Sequence, residues 1–205
     1  MDIARAQALR ELLATTPWVE RTRDFARGLR RSTERPGDLL LVGTPTEEPW
    51  HLAAHLDDEA RLTGLTQLSP TLVRWSPPQD APAHLAVGLN RIEQAHRGET
   101  LFVVAADAAP ESLLDRVSDA RRIGATILSI DSGDDELGGM AHERLVVPHD
   151  ARESLVVAEA PVPAVDMDTV QHLVSLAAGE PIARRAFRDR LARLLERVSG
   201  PAPQR

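Results

Sequence analysis

The 205-residue sequence contains no cysteine, no lysine and no tyrosine. Without cysteine there is no disulfide framework, no thiolate nucleophile and no cysteine-ligated zinc. Long apolar runs are missing too. None approaches the roughly 20 residues of a membrane span, and the arginine-interrupted first ten residues lack the apolar core of a signal peptide. A cytoplasmic protein with no membrane association is the expectation. No Gly-x-Gly-x-x-Gly follows a strand-like run and no P-loop is present, so a nucleotide cofactor is not expected, nor any other.

What is there suffices for a folded core, with 42% hydrophobic residues and 27% charged ones. The formal charge of −7 is unevenly spread. Residues 1–36 carry eight arginines against five acids and residues 180–205 carry seven against three, which leaves −14 for residues 37–179. An acidic middle argues against a nucleic-acid partner. The basic ends are expected to dock on that middle, within one chain or between subunits.

Residues 100–130 organise the chain. Leu101 to Ala105 is a short apolar run of the kind buried on both faces of a sheet. Pro110 and Glu111 open a helix whose Leu113, Val117 and Ala120 share a face, Gly124 closes it, and Thr126 to Ile130 is a second apolar run. Strand, crossover helix and strand make the unit of a parallel sheet. Around it, periodicity predicts helices over 2–15, 17–31, 50–63, 83–96, 164–178 and 181–198. Strands are predicted at Leu39–Val42, Thr71–Trp75, Arg144–Val147 and, more weakly, Ser154–Ala158, with a helical turn at Met140–Glu143. The fold class is α/β, a three-layer sandwich of flavodoxin or Rossmann type with a mainly parallel sheet flanked by N- and C-terminal helices. The expected divisions are N-terminal helices over 1–36 packing on the core or a dimer interface, an α/β core over 37–160, C-terminal helices over 161–199 and a disordered tail at 200–205.

The order and length of these elements over residues 39–148 resemble the sugar isomerase (SIS) domain family. Leu39–Gly43 is similar to its first strand and turn, Leu101–Ile130 to its central segment, and Leu137–Pro148 to its small-residue turn and following strand. The flanking helices resemble single-domain members such as phosphoheptose isomerase, which implies a homodimer or higher homo-oligomer with a ligand site between subunits. The resemblance also implies a sugar-phosphate cradle built from a hydroxyl-rich turn at a helix N-terminus. The matching positions here run from Ala105 through Ala106, Asp107, Ala108 and Ala109 to Pro110. The hydroxyls and the glycine are gone, Pro110 removes an amide, and Asp107 puts a negative charge where the phosphate would lie. At about 4 Å, two like charges cost on the order of 1 kcal/mol in water and several in a partly buried site. Gly43, Thr44, Thr46 and Glu47 replace the small, hydroxyl-rich loop after the first strand.

The crevice candidates are therefore Gly43, Thr44, Thr46, Glu47, Ala105, Asp107, Ser112, Asp131, Ser132 and His142, with no catalytic residue among them. His142 could serve as a general base, but a structural role is expected, and Ser112 and Ser132 have no histidine partner visible in sequence. Asp131, Asp134, Asp135 and Glu136 are expected to be a solvated loop. His51, His55 and Glu59 recur every four residues and could face one metal. Leu52 and Ala53 take the buried side of that helix, so a solvated stripe with no metal is expected. Trp18, Trp50 and Phe187 are core or subunit-interface candidates. The functional expectation is a non-catalytic binding or regulatory protein linked to sugar metabolism, acting on a protein partner or on a small uncharged or cationic ligand. The alternatives are a divergent sugar or sugar-phosphate isomerase or lyase, and a structural oligomerisation partner.

Overall fold

The computed structural model describes residues 16–148 and 165–180. The elements predicted over 2–15, 154–158 and 181–198, Phe187 with them, and the tail at 200–205 lie outside the described residues.

Five parallel strands form the sheet: β1 (Leu39–Val42), β2 (Thr71–Val73), β3 (Thr100–Ala105), β4 (Thr126–Asp131) and β5 (Glu143–Val146), in the order β2-β1-β3-β4-β5. The register sets Leu39 beside Thr100 and Leu101 beside Ile127. Every residue of β1 and β3 is buried, which is why these strands read as continuous apolar runs instead of alternating ones. Alternate side chains enter two cores. On one face Leu39, Leu41, Phe102, Val104 and Ile130 meet α1 (Pro17–Ser32), α2 (Trp50–Thr63) and a late helix at Met167–Gly179. On the other, Leu40, Val42, Leu101, Val103 and Ile127 meet Ile92 of the short α3 (Asn90–Glu93) and Leu113 and Val117 of α4 (Glu111–Ile123).

The helix boundaries follow from local chemistry. Pro17 occupies the first turn of α1, where a missing N–H is tolerated. Gly124 ends α4 at φ 103°, in the left-handed region that favours glycine. The single helix expected over 83–96 is not formed. A 3-10 turn covers Ala83–Leu85, and α3 supplies only four helical residues. Between them Arg74 N donates to the Val87 carbonyl at 2.8 Å, and Arg74 bridges Gly88 beyond the end of β2. That extension of the sheet, at a glycine costing about 1 kcal/mol in a helix, outcompetes the helical periodicity. β2 itself ends at Val73, short of the Trp75 expected.

The acidic segment after β4 is not a plain loop. It contains α5 (Asp135–Met140), capped by Asp134, whose carboxylate accepts from the amides of Glu136 and Leu137. The Asp-Asp-Glu run is thus a helix start, and the turn expected at Met140–Glu143 gives way to the beginning of β5.

The late helix, α6 (Met167–Gly179), lies between α1 and α2 and is buried on most of its circumference. Arg30 of α1 points Nη1 at the carbonyls of Ala177, Ala178 and Glu180, at 3.0, 3.0 and 2.8 Å. A cation at a helix C-terminus satisfies free carbonyls and complements the dipole. Arg23 pairs with Glu180, and Arg31 with Glu143. Through Arg31 and Glu143, and through the Arg30 contacts with the end of α6, part of the basic N-terminal segment docks on the middle of the same chain.

Candidate functional site: an acidic cavity at the strand ends

In the strand order β2-β1-β3-β4-β5, the chain turns outward in opposite directions from β1 and β3. Open α/β sheets bind ligands outside the carboxyl ends of their strands at such a point. A cavity of about 660 Å³ lies at this edge. Glu47 follows β1, Ala106 follows β3, Ser132 follows β4, Val147 and Pro148 follow β5, and Asp166 and Asp168 at the start of α6 close the far side.

The loop after β1 is a closed turn. Thr44 N donates to the Glu47 carbonyl at 3.0 Å, and Glu47 N donates back to Thr44 at 3.2 Å. Gly43 is required by close approach: a Cβ there would overlap the Glu47 carbonyl oxygen. Trp75 Nε1 donates to the Gly43 carbonyl at 2.8 Å. Thr44 Oγ1 and Thr46 Oγ1 are 3.0 Å apart, and Thr46 reaches Asp107 Oδ2 at 3.5 Å. The β1 and β3 loops meet there.

Three amide donors along this edge are committed elsewhere. Ala109 N donates to Asp134 Oδ2 at 2.8 Å, Ser132 N to the Ala105 carbonyl at 3.2 Å, and Thr169 N to Asp166 Oδ1 at 2.6 Å. An anion would find these N–H groups already bonded. It would also face Glu47, Asp166 and Asp168, with no arginine or histidine among the described lining residues. Burial, the Asp168 charge and the Asp107 charge all push the Glu47 carboxyl above its usual range, the response expected where like charges crowd a partly desolvated site.

Other candidates fall differently. Asp131 is 0% exposed and belongs to the frame. Its carboxylate accepts from Arg144, Ser129 Oγ and the amides of Gly133 and Asp134, so it is not a free ligand group. Ser112 is exposed on the first turn of α4 and is not among the lining residues. His142 is not near the crevice. Its Nδ1 accepts from the amide of Ile127 at 2.9 Å, at the opposite end of β4, because the turn before β5 lies at the amino edge of the sheet. Trp18 is 2% exposed in the core and so is not an interface residue, and Trp50 is 38% exposed with the Arg74 guanidinium 4.5 Å from its ring centroid.

The His51, His55 and Glu59 stripe splits. His51 is exposed, while His55 and Glu59 are half-buried. His55 meets the His172 ring edge-on at 4.4 Å, and Glu59 lies against Gly179, leaving no room for a Cβ. Helix α6 covers what the sequence left open. Among the described residues, potential metal ligands converge elsewhere, at Asp38, His96 and Glu99 on the amino edge, a set that sequence spacing did not single out.

No protein-family model matches the chain, and no curated protein matches it. Among solved structures it is similar to a candidate phosphosugar isomerase of Silicibacter pomeroyi DSS-3, at 14% identity and a TM-score of 0.48. The match covers 91% of this chain and 51% of that one. The chain thus spans about half the length of that protein. Its α/β class rests on its own strand order and crossovers. No described helix is long and apolar enough to cross a membrane.

Proposed function

We propose that this chain is a non-catalytic binding protein of SIS-like architecture, and that its strand-end cavity takes a small ligand that is cationic or uncharged. One observation carries the reading: Glu47, Asp166 and Asp168 surround a cavity of about 660 Å³ at the switch point. A cavity of that size fits a ligand of sugar or small-drug dimensions. Carboxylates attract a protonated amine and accept from hydroxyls, but they repel phosphate. A phosphorylated sugar meets both the wrong charge and amides that are already bonded. A polyol, or a polyol bearing an ammonium group, meets neither obstacle.

Thermal shift followed by calorimetry on matched ligands tests this, since binding raises the melting temperature by mass action. Glucose, glucosamine and glucose 6-phosphate form a suitable set. The reading expects the amino sugar or the neutral sugar to bind more tightly than the phosphate. It also expects Glu47→Gln to weaken the cationic ligand selectively. Phosphosugar binding at millimolar or tighter affinity, or turnover of any member of the set, would overturn it.

A further inference from the structure

We propose that Asp38, His96 and Glu99 form a binding site for one divalent transition-metal cation, with zinc as the reference ion. The site lies at the amino edge of the sheet, at the opposite end of the strands from the acidic cavity. Asp38 immediately precedes β1 and Glu99 immediately precedes β3. Because β1 and β3 pair with Leu39 beside Thr100, the two carboxylates are brought side by side. His96 belongs to the turn that enters β3. One ligand atom from each residue lies within 4.8 Å of the others.

The imidazole is oriented as a metal ligand. Its Nδ1 donates to the Arg97 carbonyl at 3.3 Å, which leaves the Nε2 lone pair facing Glu99 Oε1 at 3.3 Å. Ligating histidines characteristically donate their other ring N–H to a carbonyl or carboxylate. An unprotonated Nε2 facing a carboxylate oxygen is an acceptor facing an acceptor, and it needs a cation or a proton between them. The spacing of 3.3 Å has room for a cation. Charge-assisted N–H···O bonds are about 2.7–2.9 Å long. Zinc–nitrogen and zinc–oxygen bonds of about 2.0–2.2 Å place neighbouring tetrahedral ligands about 3.3–3.5 Å apart.

Glu99 retains capacity for the ion. A carboxylate offers about four lone-pair sites. Arg91 takes one on each oxygen, and the His96 amide takes a second on Oε2 at 2.9 Å. The remaining site, on Oε1, is the one facing Nε2. Arg91 thereby fixes the carboxylate from behind, as hydrogen bonds to ligating carboxylates commonly do. Among the described residues, no side-chain hydrogen bond or ion pair occupies Asp38. Water would complete a four-coordinate shell, and the ion would tie the entry of β1 to the entry of β3.

Calorimetric titration of Zn2+ into the chelator-treated full chain, with Co2+ absorption reporting geometry, tests the assignment. The expected result is one saturable site giving tetrahedral Co2+ bands. His96→Ala and Asp38→Asn should each weaken it by at least about tenfold. His96 is mostly exposed, so its truncation leaves the fold intact, whereas Glu99 is buried against Arg91 and is left in place. His55→Ala, at the other imidazole cluster, should bind as the parent does. Absence of saturable binding would reduce the cluster to an imidazolium ion pair and overturn the proposal. Binding that survives His96→Ala, or that is lost in His55→Ala, would overturn it equally.

Discussion

Replacing Arg144 with methionine should be among the most damaging single changes at the cavity edge. The guanidinium holds the buried Asp131 carboxylate through Nη2 at 2.8 Å and Nε at 3.0 Å, and it also donates to the Asp134 carbonyl at 2.8 Å. Gly138 makes room for it, since a Cβ there would overlap the guanidinium. Removing one partner of a buried pair typically costs about 3–5 kcal/mol, because the other charge is left uncompensated. Asp131 would keep Ser129 Oγ at 2.9 Å and the Gly133 and Asp134 amides at 3.0 and 3.2 Å, so the loss should sit near the lower end, about 3 kcal/mol. Urea unfolding at neutral pH measures it. Asp131→Asn combined with Arg144→Met should recover a substantial part, because the stranded charge is then gone. A loss in Arg144→Met below about 1 kcal/mol, the level of an exposed ion pair, would show that Asp131 is not held mainly by this contact.

Two further changes probe the packing around the site. His172 is 6% exposed and its Nε2 has no hydrogen-bond partner; burial, and then the neighbouring His55, hold its pKa down to about 4. The unfolded imidazole titrates near 6.5, so the folded state binds fewer protons and stability is complete above that value. It falls as pH drops through the window from about 6.5 to 4, at about 1.4 kcal/mol per pH unit at most. Urea midpoints should therefore decline over that window more steeply in the parent than in His172→Phe, and parallel declines would clear the imidazole of responsibility. Gly43→Ala should cost about 1–3 kcal/mol by overpacking against the Glu47 carbonyl, and it should loosen the Trp75 bond to residue 43. A melting temperature equal to the parent's would mean that the β1 loop yields freely.

The central βαβ unit was legible because three local signals agree there: apolar runs of strand length, a helical face at Leu113, Val117 and Ala120, and glycine at the left-handed C-cap position. Agreement across levels of this kind specifies structure. Where a local signal had a competitor, the reading failed. The helical periodicity over 83–96 lost to a bridge between Arg74 and Gly88, a partner sequence spacing cannot show. Helix α5 was hidden by Gly138 and Gly139, although Asp134 followed by Asp135 and Glu136 was a usable cap signal. The parallel direction expected for β5 already places His142: a residue just before a parallel strand lies at the amino edge, away from the crevice. The same rule, applied to the residues before β1 and β3, would have paired Asp38 with Glu99.

The acidic turns illustrate how far residue identity carries and where geometry takes over. Asp107 and Glu47 announce in sequence that an anion is disfavoured, and charge alone could be offset by a bound cation or by protonation. The hydrogen bonding adds an obstacle that neither can remove. Thr44 and Glu47 bond to one another, Ala109 to Asp134, and Ser132 to Ala105, so strand-end N–H groups that could cradle a phosphate are directed inward by the same loops that supply the carboxylates. Neutralising Glu47 would weaken the repulsion without freeing those amides. This wiring bears on the proposed ligand class, because hydroxyl and ammonium groups bring their own donors to a cavity lined by the Glu47, Asp166 and Asp168 carboxylates.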